Sequence, residues 1–361
     1  MKIGVLGGSF DPVHTGHLLL AENARMQAGL SRVLFMPAYI QPFKRDARVS
    51  PDDERTAMLR FALRGNPYFA QTDVELVRGG VSYTIDSLRE LRAGAAGELA
   101  GDRLAFILGT DMFLMMEKWH LAAELLAEFD IIVGVRPGYA GGAHEKVERY
   151  AAALRERYGA NIRLIGSSDM ELSSSDIRER LTNGGSLRYL VPEDARRYLL
   201  VRAKEDAARW EHTKGVMRFA GELADRYGEN RHKAELAALL HDYCKDSSGG
   251  AENNLRHGAL AAEAAKAEFG IDDADILNAI RYHTTGRAHM SRLETIVFIA
   301  DTLAPGRNYA EVDELRKLAE TDLNRCALAV LTELEKYVKK SGYKSSRDSR
   351  EAIAWLRGEG G

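Results

Sequence analysis

The chain has 361 residues, a formal net charge of −3, and 45% hydrophobic and 29% charged residues. That length favours two domains over one, and the absence of a basic excess argues against nucleic acid or a membrane surface as partner. Cys244 and Cys326 are the only cysteines, Met1-Lys2 leads straight into a strand pattern, and no apolar run nears the roughly 18 residues of a membrane span. A cytoplasmic protein without disulfides is expected, with the oligomeric state open and a homo-oligomer allowed.

Taken in order, the first part alternates strand and helix. KIGVLG, RVLFMPA, FAQTDVELV, RLAFILG, FDIIVGV and NIRLIG read as short apolar strands, with helical patterns at 16–29, 52–64, 84–94 and 143–157 between most of them. Strand, helix, strand in series predicts a parallel sheet covered by helices. SSSDIRERLTNGG reads as a capped helix, and VPEDARRYLLVR as a helix from near Pro192. Beyond about residue 202 the strands stop, and helical patterns follow near 213–227, 232–246, 258–269, 272–284, 291–303 and 322–340. Domains are therefore expected at 1–201, α/β, and 202–361, all-α. Leu200 to Asp206 runs from helix to helix with no flexible linker, which predicts closely apposed domains. The tail GEGG is expected to fray.

The stretch GGSFDPVHTGH follows the first strand, where an α/β sheet receives a nucleotide. Gly4, Gly7 and Gly8 do not make G-x-G-x-x-G, and no G-x-x-x-x-G-K-[ST] occurs. Instead Thr15 is placed to cap a helix whose first turn carries His17. Amides at such a helix start attract phosphate, and His14 and His17, three apart, can face the same way and add donors of longer reach. They suit the phosphates of ATP.

At His14-Thr15-Gly16-His17 the chain resembles the HxGH nucleotidyltransferases. GGSFDPVHTGHL, PFK at 42–44, SYTIDSL at 82–88, GTDM at 109–112, KWH at 118–120, RPG at 136–138 and LSSSDIR at 172–178 narrow the resemblance to the nicotinate mononucleotide adenylyltransferases, over nearly all of residues 1–200. The resemblance implies a Rossmann-like parallel-sheet domain that moves AMP from ATP, with Mg²⁺, to nicotinate mononucleotide and releases pyrophosphate. It implies that Gly7, Gly8, Ser9, Phe10, Gly109 and Asp111 line ATP and that His14 and His17 bind its phosphates. It further implies that Ser174, Ser175 and Arg178 hold the triphosphate and that Lys44 neutralises phosphate charge. Tyr83, Thr84 and neighbouring backbone would hold the nicotinate carboxylate, with Trp119 stacked on the pyridine ring. Serine caps at a helix start and the donor fork of arginine suit an anion independently. Phe43 departs from the family pattern, because many members carry histidine there and Phe has no donor.

The second half has its own cluster. His212 heads the stripe Val216, Ala220, Leu223. His241 continues Ala237, His283 follows Ile276 and Ile280, and Asp301 follows Leu293 and Val297. Each falls on the face its helix should bury. A buried carboxylate is costly unless paired or bound to metal; Arg281 is one candidate partner for Asp301. With Asp242 and His257, the set makes a nitrogen/oxygen metal cluster a better account than separate core residues. Cys244 reads as helix core.

The order His…His-Asp…His…His…Asp resembles the HD metal-dependent phosphohydrolases. EHTKGV at 211–216, LLHDYCKD, RHG at 256–258, HTTG at 283–286 and ADTLAPGR at 300–307 resemble the bacterial HD-domain hydrolases that split diadenosine tetraphosphate symmetrically, over about residues 203–340. The resemblance implies two divalent or mixed-valence ions, for which these ligands suit Fe, Mn or Zn. His212, His241, Asp242 and Asp301 would hold one, and Asp242, His257 and His283 the other, with a bridging water as nucleophile. Lys245 and Arg307 would steady phosphates. Ala304 stands where the family often has glutamate. The sequence thus reads as a bifunctional enzyme; the alternatives for the helical half are a nucleotide-sensing module or another phosphodiester substrate.

Overall fold

The computed structural model describes residues 1–43, 49–94, 102–135, 143–167, 172–245 and 256–358. The chain divides into two compact units, Met1–Leu199 and Leu200–Gly361.

In the first unit the strands are β1 (Lys2–Gly8), β2 (Arg32–Pro37), β3 (Phe69–Gln71), β4 (Arg103–Gly109), β5 (Asp130–Val135) and β6 (Ile162–Gly166). They form one parallel sheet in the order β3-β2-β1-β4-β5-β6. The helices are α1 (Thr15–Ala28), α2 (Asp52–Leu63), α3 (Val74–Arg78), α4 (Thr84–Arg92), α5 (Thr110–Phe113), α6 (Ala122–Glu128), α7 (Ala143–Tyr158) and α8 (Ser174–Thr182), with a 3₁₀ turn at Met116–Lys118, and α9 (Glu193–Lys204) begins in this unit and ends in the second. β4 and β5 are unbroken apolar runs because their inner residues are covered on both faces; Leu104 to Leu108 are all buried. The order reverses between β1 and β4, which pair in parallel from Lys2–Arg103 to Leu6–Ile107, so their carboxyl ends lie at the same edge of the sheet. Such a switch point is where an open α/β sheet leaves a crevice for ligand.

FAQTDVELV is not one strand. Only Phe69–Gln71 pairs with β2, and Val74–Arg78 is a short helix from Asp73 at its N-cap to Gly79 at its C-cap. The start and stop signals outweigh the β-rich composition.

The second unit holds α10 (Ala207–Tyr227), α11 (Arg231–Leu240), α12 (His257–Ala267), α13 (Ala274–Tyr282), α14 (Arg292–Leu303), α15 (Val312–Ala319), α16 (Leu323–Lys340) and α17 (Arg347–Leu356). α14 is its centre: Leu293, Ile296, Val297, Phe298, Ile299, Ala300 and Leu303 are all buried, as expected of a helix apolar on every side. It packs on α10, α11, α13, α15 and α16. Ser291 and Glu294 close its start as a capping box, and Arg287 grips the buried Glu294 carboxylate through two bonds of 2.6 Å.

Three expectations are corrected here. α11 ends at Leu240, not near 246, so His241 is its C-cap. α15 and α17 were not expected. Cys244 lies half-buried in the turn after α11, not in a helix core; both cysteines are free thiols. No helix among the described residues is long and apolar enough to cross a membrane.

Candidate functional site

Two clusters assemble, one in each unit. In the first, β1 delivers Gly7 and Gly8 to the carboxyl edge, and the chain turns through Asp11-Pro12 into α1. His14, not Thr15, is the N-cap, while the Thr15 hydroxyl donates to the Tyr189 carbonyl at 3.0 Å. The rings of His14 and His17 stack at 3.7 Å between centroids, 25° from parallel. Gly16 leaves room for this stack, since a Cβ there would stand 3.1 Å from the His14 ring. The His14 amide donates to His17 Nδ1 at 3.3 Å, so the neutral His17 ring carries its proton on Nε2. Burial, with the neighbouring His14, holds His17 well below its ordinary pKa and keeps it neutral near pH 7. Phe10 lies fully buried with its ring edge-on to His17 at 5.1 Å.

α8 meets this loop end-on. Ser173 caps it in a box with Asp176. The Ser174 hydroxyl donates to the Pro12 carbonyl at 2.9 Å, Arg178 donates to the Asp11 carbonyl, and Arg178 Nη2 lies 3.2 Å from Ser175 Oγ. Thus Ser174, Ser175, Arg178, His14 and His17 share one corner despite some 160 residues between Pro12 and Ser174. The fully buried Arg55 braces it from below, donating to the carbonyls of Ser9 and Ala38 at 2.8 Å each and Ser50 at 3.1 Å. Arg55 was missed in the sequence. Its only signal is its place among Leu59, Ala62 and Met58 on the apolar face of α2.

Along the same edge, Tyr39 donates its amide to Ser82 Oγ at 2.9 Å, and Ile40 bridges Val81. These contacts join the loop before Phe43 to the start of α4, where Tyr83 is the N-cap and Thr84 the first residue. The first amides of a helix lack partners within it and suit a carboxylate. Trp119 packs edge-on against Phe106 at 5.8 Å and faces Phe43 at 6.4 Å; the Tyr83 and His120 rings lie 4.3 Å apart. Asp111 is exposed in the first turn of α5. Lys44 and the RPG stretch at 136–138 lie outside the described residues.

The second cluster gathers His212 from α10, His241 and Asp242 from the end of α11, His257 from the start of α12, His283 from the end of α13 and Asp301 from α14. His212 Nε2 lies 2.9 Å from Asp301 Oδ1, and His241 Nε2 lies 3.7 Å from that atom and 3.6 Å from Asp242 Oδ2. The other Asp242 oxygen is 3.1 Å from His257 Nε2 and 3.6 Å from His283 Nε2. Asp242 therefore stands between two donor groups, one oxygen to each. His212, His241 and Asp301, and separately His241, Asp242 and His283, present ligand atoms within 4.8 Å of one another. Lys245 Nζ reaches Asp242 at 2.5 Å. Arg307 Nη2 reaches Asp301 at 3.1 Å, taking the part suggested for Arg281.

His241 and His283 bond through Nδ1 to the carbonyls of Ala238 and Ile280 at 2.6 and 2.7 Å, which turns each Nε2 toward the centre; burial lowers the pKa of His283, but the Asp242 bond and the Asp301 charge outweigh it and raise it above its ordinary value. Burial pushes His241 down to about 4, so it is a neutral ligand near pH 7. Burial works against the charges of Asp242 and Asp301, yet the surrounding histidines, His241 foremost at Asp242 and His212 at Asp301, hold both well below the usual carboxylate range. Adjacent donors about 2.1 Å from one first-row cation stand roughly 3.0–3.4 Å apart, so this donor set fits such ions.

The first unit matches the cytidylyltransferase-like family model over residues 5–180, and the second matches the HD domain model over residues 209–306. A "probable nicotinate-nucleotide adenylyltransferase" of Dehalococcoides mccartyi is 34% identical over 199 residues, covering 55% of this chain and 94% of the relative. Its counterpart from Trichlorobacter lovleyi is 37% identical over 211 residues, covering 55% and 96%. The chain belongs to the nicotinate-nucleotide adenylyltransferase family. This family member carries an HD domain after its adenylyltransferase-like unit. A "predicted HD superfamily hydrolase involved in NAD metabolism" from Clostridium acetobutylicum is 36% identical to it, covering 44% of this chain and 93% of its own, with a TM-score of 0.41.

Proposed function

We propose that this chain is a bifunctional enzyme of NAD synthesis and nucleotide hydrolysis. Residues 1–201 transfer AMP from ATP to nicotinate mononucleotide, and residues 202–361 cleave diadenosine tetraphosphate to two ADP. The observation that carries the first assignment is the corner where the His14–His17 stack meets the Ser174–Arg178 helix start, in a chain whose relatives bear the adenylyltransferase name. The mononucleotide phosphate is already an anionic nucleophile, so no side chain need act as its base. What the reaction asks is alignment and stabilisation of charge on the leaving pyrophosphate. His17, proton on Nε2, donates to the phosphate with His14 beside it, while Ser174, Ser175 and Arg178 hold the far end of the triphosphate. Lys44 adds positive charge, Gly7, Gly8, Ser9, Phe10, Gly109 and Asp111 border the nucleotide, and Mg²⁺ arrives with ATP. Tyr83 and Thr84 bind the nicotinate carboxylate at the α4 start, with Trp119 against the ring.

For the second assignment, the buried His241 Nε2 has no hydrogen-bond partner among the described residues and points to a cation as its occupant. His212, His241, Asp242 and Asp301 would hold one metal ion and Asp242, His257 and His283 a second, the donors suiting Fe, Mn or Zn. Such ions supply Lewis acidity and an acidified water. Lys245 and Arg307, beside Asp242 and Asp301, neutralise the polyphosphate.

The test supplies ATP with nicotinate mononucleotide, and separately a panel of dinucleoside polyphosphates and cyclic dinucleotides, to wild type and His17→Ala. Wild type should form nicotinate adenine dinucleotide and ADP. His17→Ala should lose the first product, by at least a hundredfold in rate, and keep the second. Synthesis near the wild-type rate in His17→Ala would remove His17 from the mechanism. A wild type that binds metal and hydrolyses nothing would make the second unit a sensor.

A further inference from the structure

Phe43 is a large apolar side chain left 47% exposed, at the rim of the crevice and opposite the partly buried Trp119. Their ring centroids are 6.4 Å apart and their planes meet at 49°. Trp119 is fixed from behind. Phe106 packs edge-on against it, its amide donates to Met116 at 3.0 Å, and it lies against the apolar core of the sheet. Phe43 is held through its loop, since Tyr39 and Ile40 are tied to Ser82 and Val81 just before α4 begins.

Two aromatic faces that enclose a third ring stand about 7 Å apart, roughly twice the 3.5 Å of a stacked contact. At 6.4 Å between centroids and 49° between planes the two rings form a tilted pair in direct contact, so a third ring enters only when the exposed Phe43 side chain swings outward and turns parallel to Trp119. We propose that Phe43 is the second wall of the pyridine slot, so that the ring of nicotinate mononucleotide lies between Phe43 and Trp119. This inference rests on the adenylyltransferase reading above. The occupant's chemistry supports it: the pyridine nitrogen is bonded to ribose, so the ring is a pyridinium cation. Neutral aromatic faces attract a flat cation, whereas a histidine that takes up a proton would repel it. Phenylalanine at 43 thus trades a phosphate donor for a charge-independent grip on the ring.

The experiment measures initial rates with each substrate varied in turn, and nicotinate mononucleotide binding by calorimetry, for wild type, Phe43→Ala, Phe43→Tyr and Phe43→His. Phe43→Ala should raise the KM and the Kd for nicotinate mononucleotide about tenfold and leave the KM for ATP within twofold. Phe43→Tyr, which keeps the face, should restore both. Phe43→His should lose grip progressively as pH falls from 8 to 6, while Phe43→Tyr stays flat. Thermal unfolding of each variant at the wild-type midpoint establishes that the fold is intact. An unchanged Kd in Phe43→Ala overturns the inference, as does an equal rise in both KM values, which would give Phe43 a role in the loop alone. If wild type neither binds nor uses nicotinate mononucleotide, the adenylyltransferase reading itself fails, which the wild-type arm detects separately.

Discussion

Gly258 follows His257 at the start of α12 and is buried against the end of α13. A Cβ at this position would stand 2.6 Å from the Arg281 carbonyl oxygen and 3.1 Å from that of Ile280. Both are backbone atoms of α13 and cannot swing aside as a side-chain tip would. Ordinary contact begins near 3.4 Å, so Gly258→Ala requires α12 to retreat from α13 by about 0.8 Å. That movement separates two facing ligand atoms, His257 Nε2 and His283 Nε2, now 2.9 Å apart, and draws His257 from Asp242 Oδ1 at 3.1 Å. Metal–ligand bonds tolerate only about 0.2 Å, so an ion at the site proposed for Asp242, His257 and His283 should be held roughly 10–100-fold more weakly. Overpacking itself costs about 1–3 kcal/mol, which lowers the midpoint of a unit this size by roughly 3–10 °C. Calorimetry of the second unit's transition and elemental analysis after gel filtration would read both effects. Adenylyl transfer in the same preparation should be unchanged. A Gly258→Ala protein with wild-type midpoint and metal content would refute the claim that close approach of α12 and α13 builds the site.

Three further expectations follow from named contacts. The α4 start should favour nicotinate over nicotinamide mononucleotide by about 10–100-fold in kcat/KM, because the amide presents a donor where amides already point; steady-state rates with both substrates decide it, and equal values refute it. Glu205 is buried and accepts from the Thr213 hydroxyl at 3.2 Å, and burial raises its pKa to about 7. A raised acid favours the fold fully below its unfolded value near 4.5 and loses that advantage as pH rises through 7, so with cations chelated Glu205→Gln should match wild type near pH 4.5 and exceed it by about 3 kcal/mol above pH 8 in denaturant unfolding; a difference independent of pH would refute this. On the proposed function, wild type should give ADP alone from diadenosine tetraphosphate on chromatography and Asp242→Ala should lose both metal content and this hydrolysis; ATP with AMP from wild type would instead mean attack at an outer phosphorus.

What the sequence made legible follows the range of the forces involved. β1, β4 and β5 were readable because a strand covered on both faces must be apolar throughout, and VLG, AFILG and IIVGV satisfy that locally. Of the six candidate ligands, His212, His241, His283 and Asp301 were readable because each falls on a face that helical periodicity buries, whereas Asp242, in the turn after α11, and His257, at the first residue of α12, carry no such periodic signal. The misread segments fail where local signals compete. Val74–Arg78 has the composition of a strand and the punctuation of a helix, and five residues are too few for periodicity to settle the matter. α11 stops six residues early because His241 turns its Nδ1 to the Ala238 carbonyl and ends the helix as a cap. Arg55 was illegible as part of the site because its partners, the carbonyls of Ser9, Ala38 and Ser50, are backbone atoms brought in from other segments. The Phe43–Trp119 pairing is likewise a tertiary fact, set by how the loop from Tyr39 meets Ser82.

Histidine serves both clusters, and the helix end it occupies decides how. At the start of α1 the backbone offers unpaired N–H groups. His17 Nδ1 accepts one, the proton is driven to Nε2, and the ring becomes a donor suited to an anion. At the ends of α11 and α13 the backbone offers unpaired carbonyls. His241 and His283 give their Nδ1 protons to carbonyls three residues back, and each ring becomes an acceptor suited to a cation. The same imidazole is thus set to opposite polarity by the direction of the chain beside it. On the function proposed above, His17 would therefore meet phosphate directly, whereas His241 and His283 would meet it through metal. It also explains the placement of the arginines and lysines. In the first unit Arg178 stands with the histidines as a fellow donor. In the second, Lys245 and Arg307 pair with the carboxylates Asp242 and Asp301, leaving His241 and His283 to present their lone pairs.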